Sequence, residues 1–412
     1  MGKLPLRARL AILVGSVAGW ASRLTGRGDG SVIGGVLSLR LEPNLLQLLS
    51  ADRQVVLVTG TNGKTTTTRL ITAALGALGQ DVATNAFGAN MEAGLVSALS
   101  RARGAPFAVL ETDEKFIPAV LKATGARVVT LLNLSRDQMD RAAEIWMVAR
   151  RWREALAAAP RCQVIANADD PLIVWAASGA PRVTWVAAGQ RWHEDSWCCP
   201  ECGSHLRRDE LGWRCGDCPF TRPSARWVLD GSKVIDASGR VQELNLSLPG
   251  RANRSNAVMA LAVADFFGGD VSQALPRLRE VKSVAGRYTQ VERRGRTLRL
   301  LLAKNPAGWL EAFDVLTPGN VPVLLAVNAQ TPDGKDTSWL WDVDYRVLRG
   351  RPVFVAGERQ LDLAVRLEAD EVPFQLVSGV DEATDQVPPG PLDVIANYTA
   401  FQQIRVTLGR AG

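Results

Sequence analysis

Val55-Val56-Leu57-Val58-Thr59-Gly60-Thr61-Asn62-Gly63-Lys64-Thr65-Thr66 runs from an apolar strand, through a turn with two glycines, into the first residues of a helix near Lys64. Polyphosphate binding needs this order. Glycines let backbone N–H groups approach phosphate oxygens, and the helix N-terminus adds the positive end of its dipole. Lys64 would reach the β- and γ-phosphates, and the Thr65 hydroxyl would hold Mg²⁺. The usual phosphate loop has a glycine where Val58 stands, so this is a shortened variant. Gly60, Thr61, Asn62, Gly63, Lys64, Thr65 and Thr66 are the expected nucleotide contacts, with ATP or GTP as the ligand.

The bulk numbers frame that expectation. A chain of 412 residues should form two or three domains, and 47% apolar with 22% charged residues fits a globular protein with ample core. The net charge of +6 suits an anionic substrate or an acidic lipid surface. Spread over scattered arginines, it is too diffuse to argue for a nucleic-acid partner. Lys3, Arg7 and Arg9 precede an apolar run from Leu10 to Trp20, which mimics a signal peptide. Gly15 and Gly19 break the run, no small-x-small cleavage site follows, and it is too short to span a bilayer. It reads as a packed helix of a cytoplasmic protein, with peripheral contact at the inner face of the plasma membrane as the lesser alternative.

From residue 54 the chain alternates strand and helix. Strands are predicted at 55–59, 81–84, 107–111, 127–132 and 162–166, with helices such as 65–78 and 144–158 between them. That pattern gives a parallel sheet covered on both faces. Ligand chemistry in such sheets gathers at the carboxyl ends of strands. Three of those ends carry Glu111, Asp113 and Glu114; Asn133, Asp137 and Asp140; and Asn167, Asp169 and Asp170. Carboxylates converging on a phosphate loop can hold Mg²⁺, which wants oxygen ligands. Short antiparallel strands are expected at 226–228, 233–235 and 241–248, then a helix over 252–267. Beyond a boundary near Gly286-Arg287, strands at 298–302, 321–327, 353–356 and 392–395 suggest a second, smaller α/β domain.

Cys199-Pro200-Glu201-Cys202 and Cys215-Gly216-Asp217-Cys218 form two C-x-x-C pairs a short stretch apart. Four such thiolates suit a structural Zn²⁺ with no open coordination position. Cys198 is adjacent to the first pair, Cys162 reads as core, and His193 and His205 flank the module without being expected ligands.

T-G-T-N-G-K-T at 59–65, E-T-D-E at 111–114, N-L-S-R-D-Q-M-D-R at 133–141, N-A-D-D-P at 167–171 and G-R-A-N-R-S-N-A at 250–257 together resemble the Mur ligases, ATP-dependent amide-forming enzymes of peptidoglycan synthesis. The family often has histidine at the second position of Asp137-Gln138-Met139-Asp140, which is glutamine here. The C-terminal segments 304–309, 333–342 and 397–401, with the four-cysteine insertion, are similar to the MurT branch, the synthetase subunits of lipid II isoglutaminyl synthase. The resemblance implies a Mur-ligase-like central P-loop ATPase domain over 1–285, with a four-cysteine zinc ribbon inserted at about 192–222, and a C-terminal α/β domain over 286–412.

It further implies ATP and Mg²⁺ as cofactors beside the structural Zn²⁺, with Thr65 and Glu111 on Mg²⁺, Asn253 and Asn256 near adenine, and Arg287 reaching a phosphate. The implied reaction amidates the D-glutamate α-carboxylate of lipid II through an acyl phosphate. Ammonia would come from a separate GatD-like glutaminase subunit docked on the last domain. Asp336 would complete that partner's Cys-His pair, with Asp333 and Asp342 behind it. An ordinary Mur ligase adding an amino acid is the nearest alternative. A zinc-ribbon nucleic-acid-binding ATPase is the third reading, and the balanced charges around 201–217 oppose it.

Overall fold

The computed structural model describes residues 4–24, 31–85, 89–136, 145–210, 212–282 and 288–409. Two compact units emerge: Met1–Leu134 with Glu144–Leu248 and Ala252–Lys282, and Ser283–Gly412 with Ser135–Ala143 and Pro249–Arg251.

Three helices, α1 (Leu6–Leu24), α2 (Ser31–Leu41) and α3 (Leu45–Ser50), lead into the first unit. The α/β alternation follows: β1 (Gln54–Thr59), α4 (Lys64–Gly76), β2 (Val82–Thr84), α5 (Glu92–Arg101), β3 (Phe107–Glu111), α6 (Ile117–Thr124), β4 (Val128–Leu131), α7 (Ile145–Ala157), β5 (Gln163–Asn167), α8 (Pro171–Ala177) and β6 (Val183–Ala187). A hairpin of β7 (Leu206–Asp209) and β8 (Gly212–Cys215) stands apart. Then come β9 (Trp227–Asp230), β10 (Lys233–Ile235), β11 (Val241–Glu243), α9 (Arg251–Phe266) and α10 (Val271–Arg279).

The main sheet has nine strands in the order β11-β10-β9-β6-β5-β4-β1-β3-β2. It is parallel through β9, and β10 and β11 add an antiparallel end. Val55 to Val58 of β1 are fully buried, as an apolar strand covered on both faces must be. The chain leaves β1 for β2 and β3 on one side, then crosses to β4 on the other. The loop after β1 therefore opens at the switch point where such sheets bind ligands.

Helix α2 carries Gly34 and Gly35, a residue type that disfavours helix. Its glycines serve close packing instead: a Cβ on Gly15 of α1 would lie 2.6 Å from Gly34 O, and one on Gly35 would meet Ala93 O of α5. The predicted strand 241–248 is a strand only over Val241–Glu243, and β6 was not anticipated.

The second unit holds β12 (Tyr288–Arg293), β13 (Arg296–Leu302), α11 (Pro306–Phe313), β14 (Val323–Ala326), β15 (Val353–Ala356), α12 (Gln360–Ala369), β16 (Gln375–Leu376), α13 (Val380–Gln386), β17 (Gly390–Ala396) and α14 (Tyr398–Gly409). Its sheet runs β12-β13-β17-β14-β15-β16, parallel except for the β12–β13 hairpin. One face packs Trp309, Trp339 and Tyr345 against Leu325, Val355 and Leu367. The other packs Phe401, Ile404 and Leu408 against Leu300, Leu324 and Val394.

Candidate nucleotide and metal sites

Gly60 has φ +141° and Gly63, which caps α4, has φ +85°, a left-handed conformation that L side chains resist. Space is short as well. A Cβ on Gly60 would lie 2.9 Å from Leu132 Cβ, and one on Gly63 would lie 2.7 Å from Asn256 Oδ1. Asn256, buried on α9, therefore stands against the loop itself; Asn253 lies one turn earlier and is half-buried.

Asn133 clamps the loop from the end of β4. Its backbone carbonyl accepts from Thr61 N at 3.0 Å, its Oδ1 accepts from Asn62 N at 2.9 Å, and its Nδ2 donates to Asn62 O at 3.1 Å. Lys64 is buried and folds its amine back into the loop, donating to Gly60 O at 2.6 Å, Thr61 O at 3.2 Å and Glu114 Oε1 at 2.9 Å. Burial pushes the Glu114 carboxyl above its ordinary range, against the pull of Lys64 and with a smaller push from Asp113.

Glu111 ends β3 in a buried position, and its Oε2 has no hydrogen-bond partner among the described residues. A buried carboxylate oxygen without a donor is costly unless something else compensates it. Its backbone is held on both edges by Asn85, whose Oδ1 accepts from Glu111 N at 2.8 Å and whose Nδ2 donates to Glu111 O at 2.8 Å. Thr65 is half-buried and Thr66 buried in the first turn of α4. A threonine hydroxyl and a carboxylate oxygen are donors of the kind that Mg²⁺, which keeps several waters, accepts.

Farther along, Asp170 is fully buried, caps α8 through Leu172 N and Ile173 N, and accepts from Leu134 N at 2.8 Å. Burial raises its pKa to about 6 despite those donors. Asp137, Gln138, Met139, Asp140 and Arg287 lie outside the described residues.

The four cysteines 199, 202, 215 and 218 meet, with all sulfurs within 4.8 Å of one another, and this is the one such metal-competent cluster among the described residues. Cys199 and Cys218 sulfurs are 3.6 Å apart, and those of Cys202 and Cys215 are 3.4 Å apart. A disulfide needs about 2 Å. A tetrahedral Zn²⁺ at about 2.3 Å from each sulfur implies about 3.8 Å between them. The set therefore fits zinc in size and in donor chemistry. Cys198 is exposed and pairs in a bridge with His205, outside the cluster, while Cys162 is buried, with its thiol pushed up to about 12 by burial. The ribbon is tied to the main body by Trp213, which donates to Ala168 O at 3.1 Å, and by Arg222, which pairs with Asp169 at 2.6 Å.

The Mur ligase middle-domain family model matches residues 58–264, just over half of the chain. The chain belongs to the Mur ligase family. A second family model, the MurT ligase C-terminal domain, matches residues 302–401. Among curated proteins, the chain is 28% identical to the lipid II isoglutaminyl synthase subunit MurT of Streptococcus pneumoniae, over 97% of both chains. It is also 28% identical to MurT of Staphylococcus aureus strain COL, over 98% of this chain and 99% of that one. Among solved structures, a pseudomurein peptide ligase type C from Methanothermus fervidus superposes with TM-score 0.70 at 19% identity, covering 90% of this chain and 81% of that one. At that identity the likeness is one of fold.

In this Mur ligase the C-terminal unit places Asn305 at the head of α11, where its Oδ1 accepts from Gly308 N at 2.9 Å. Lys304 stands 5.1 Å over the Tyr398 ring. Asp333 ties Gln330 N to Thr399 N and Thr399 Oγ1, so it holds the 330–333 turn to α14. Asp336 is half-buried and accepts from Ser338 N at 2.8 Å, while Asp342 is exposed. Sequence reading assigned no role to Asn85 and gave Asn133 none beyond its place at a strand end. The available signal was an asparagine directly after an apolar strand.

Proposed function

We propose that this Mur ligase uses ATP to convert the D-glutamate α-carboxylate of the lipid II stem peptide into an amide, giving D-isoglutamine. The observation that carries the reading is coverage. The MurT relatives align over essentially their whole length. A relative named UDP-N-acetylmuramoylalanine--D-glutamate ligase, from Pelotomaculum thermopropionicum, aligns over only 57% of this chain and 45% of its own. The match of residues 302–401 to the MurT C-terminal family model supports the same reading.

A carboxylate is a poor electrophile. Its oxygen attacks the γ-phosphorus of ATP, ADP leaves, and the resulting acyl phosphate is attacked at carbon by ammonia. Phosphate then departs with one of the original carboxylate oxygens, and a proton is released from the nitrogen. Lys64 would turn from Gly60 O and Glu114 to the phosphates as nucleotide enters, neutralising charge on the transferred group. The N–H groups of 60–66 would cradle the polyphosphate, with Asn253, Asn256 and Arg287 completing the nucleotide contacts. Thr65 and Glu111 would hold Mg²⁺, which when bound supplies charge neutralisation at the phosphate oxygens. Cys199, Cys202, Cys215 and Cys218 would hold a structural Zn²⁺ that stabilises the ribbon.

The relatives are named subunits, and we infer a GatD-like glutaminase partner docked on the domain beginning near 286, with Asp336 offered to its Cys-His pair. Nucleic acid has no part in this scheme, and the work would be done at the cytoplasmic face of the membrane that carries lipid II. No described helix is long and apolar enough to cross a membrane. The test is ADP release by the purified chain with lipid II, Mg²⁺ and a nitrogen source. Ammonium should support turnover, and glutamine should do so only after a glutaminase subunit is added. Turnover driven by a free amino acid would replace this reading with that of an amino-acid-adding ligase.

A further inference from the structure

Helix α1 turns one face to the protein and the other to solvent, and both faces are apolar. Ala8, Ala11, Ile12, Gly15, Gly19 and Ser22 are buried. Opposite them Leu6, Leu10, Leu13, Val17, Trp20 and Leu24 are 56–82% exposed. At 100° per residue these six lie within about 80° of arc, forming a continuous ridge along the whole helix. The adjoining helix α2 leaves Val32, Ile33 and Val36 exposed as well. Scattered exposed apolar residues are ordinary, but a contiguous strip of this length is a contact surface.

The charge around the ridge selects the occupant. Helices α1 and α2 contain four arginines, Arg7, Arg9, Arg23 and Arg40, all exposed, and no acidic residue. The ridge repeats with the 3-4 spacing of a coiled-coil seam, so a second copy is the natural competitor. The positions flanking such a seam would be Arg7, Val14 and Ala21 on one side and Arg9, Ser16 and Arg23 on the other. Arg7 meets Glu42 at 3.7 Å, and the other flanking charges, Arg9 and Arg23, are both positive, so two copies gain no charge attraction along the seam. An anionic bilayer surface answers both features: arginines meet lipid phosphates, the ridge enters the acyl boundary, and Trp20 sits at headgroup depth.

We propose that α1 lies in the plane of an anionic membrane, ridge inward, and holds the enzyme at the surface from which its substrate protrudes. The proposal rests on the reading above for its purpose, but not for its test. The full chain, without lipid II or nucleotide, is floated with vesicles of phosphatidylcholine alone or with phosphatidylglycerol. Binding should require phosphatidylglycerol and weaken severalfold at high salt. The double variant Leu13→Glu, Val17→Glu, whose side chains face solvent, should lower the bound fraction about tenfold with an unchanged melting temperature. Undiminished flotation of that variant overturns the proposal. So does a wild-type chain that ignores vesicles but dimerises through the ridge in sedimentation equilibrium. A final pair of assays separates the two readings: the variant should amidate a detergent-free, short-chain lipid II analogue at the wild-type rate and vesicle-embedded lipid II much more slowly. Equal rates on the two substrates count against the membrane role. Failure of the wild type on both removes the amidation reading and leaves the flotation result standing.

Discussion

Asn85→Ala isolates what positions Glu111. The β2–β3 ladder pairs Thr84 with Val109 and then ends. The Asn85 amide continues it by acting as a peptide group, accepting from Glu111 N and donating to Glu111 O and to Ala89 O, each at 2.8 Å. Asn85 and Glu111 are both buried, so truncation leaves the Glu111 N–H and carbonyl without this partner in a place water does not readily reach, and the half-buried Ala89 carbonyl loses its donor as well. At about 1 kcal/mol or more for each, the loss is about 3 kcal/mol. That corresponds to a melting temperature lower by roughly 6–12 °C for a unit of this size. Function should suffer separately, because the Glu111 carboxylate loses its fixed aim: the Mg²⁺ concentration for half-maximal ATP turnover should rise about tenfold. Thermal denaturation and Mg²⁺ titration of ADP release measure the two effects. A variant that melts with the wild type and keeps its Mg²⁺ dependence would refute the role given to Asn85 and weaken that of Glu111.

Other outcomes follow from the same geometry. Glu114→Gln removes the anion that holds Lys64 at 2.9 Å, so, if Lys64 is to serve the phosphates as proposed, ADP should bind severalfold more tightly by calorimetry. Cys202→Ser or Cys215→Ser should reduce zinc from about one ion per chain to none by elemental analysis and should melt the ribbon before the rest. Trp213→Phe keeps the ribbon's packing but loses the bond to Ala168 O, a cost of about 1 kcal/mol in chemical denaturation. For Asp170, burial raises the folded pKa to about 6, above the value of the unfolded chain. Its favourable contribution is therefore complete below about pH 4 and disappears as pH rises through about 6. The stability advantage of wild type over Asp170→Asn should shrink between about pH 4 and about pH 6 and level off above, measured by urea denaturation; a pH-independent difference would contradict it.

The apolar strands and the glycine turn between β1 and α4 were legible in sequence because their signals are local. Val55 to Thr59 is an almost unbroken apolar run, and Gly60 and Gly63 mark backbone that other residues resist. The cysteine cluster was legible for the same reason, since two C-x-x-C knuckles name their own chemistry. Less legible were features that depend on a distant partner. Asn85, Asn133 and Asn397 each stand just past a strand and complete hydrogen bonding for a neighbouring segment; Asn397, for example, exchanges two bonds with Asn328. Nothing local in the sequence says which segment that is. Gly34 and Gly35 lie inside a helix, and the close approach of α1 and α5 explains them. The short antiparallel hairpin of β12 and β13 was half read, because Tyr288–Arg293 has few apolar residues.

The central claim is that the γ-phosphoryl group passes to the substrate's own carboxylate before nitrogen arrives. Lipid II carrying heavy oxygen in the D-glutamate α-carboxylate should be turned over with ammonium and ATP, and the released phosphate examined by mass spectrometry. One heavy oxygen per phosphate, with none when Lys64→Ala replaces the wild type, is the predicted result. Unlabelled phosphate accompanying amide formation would contradict it.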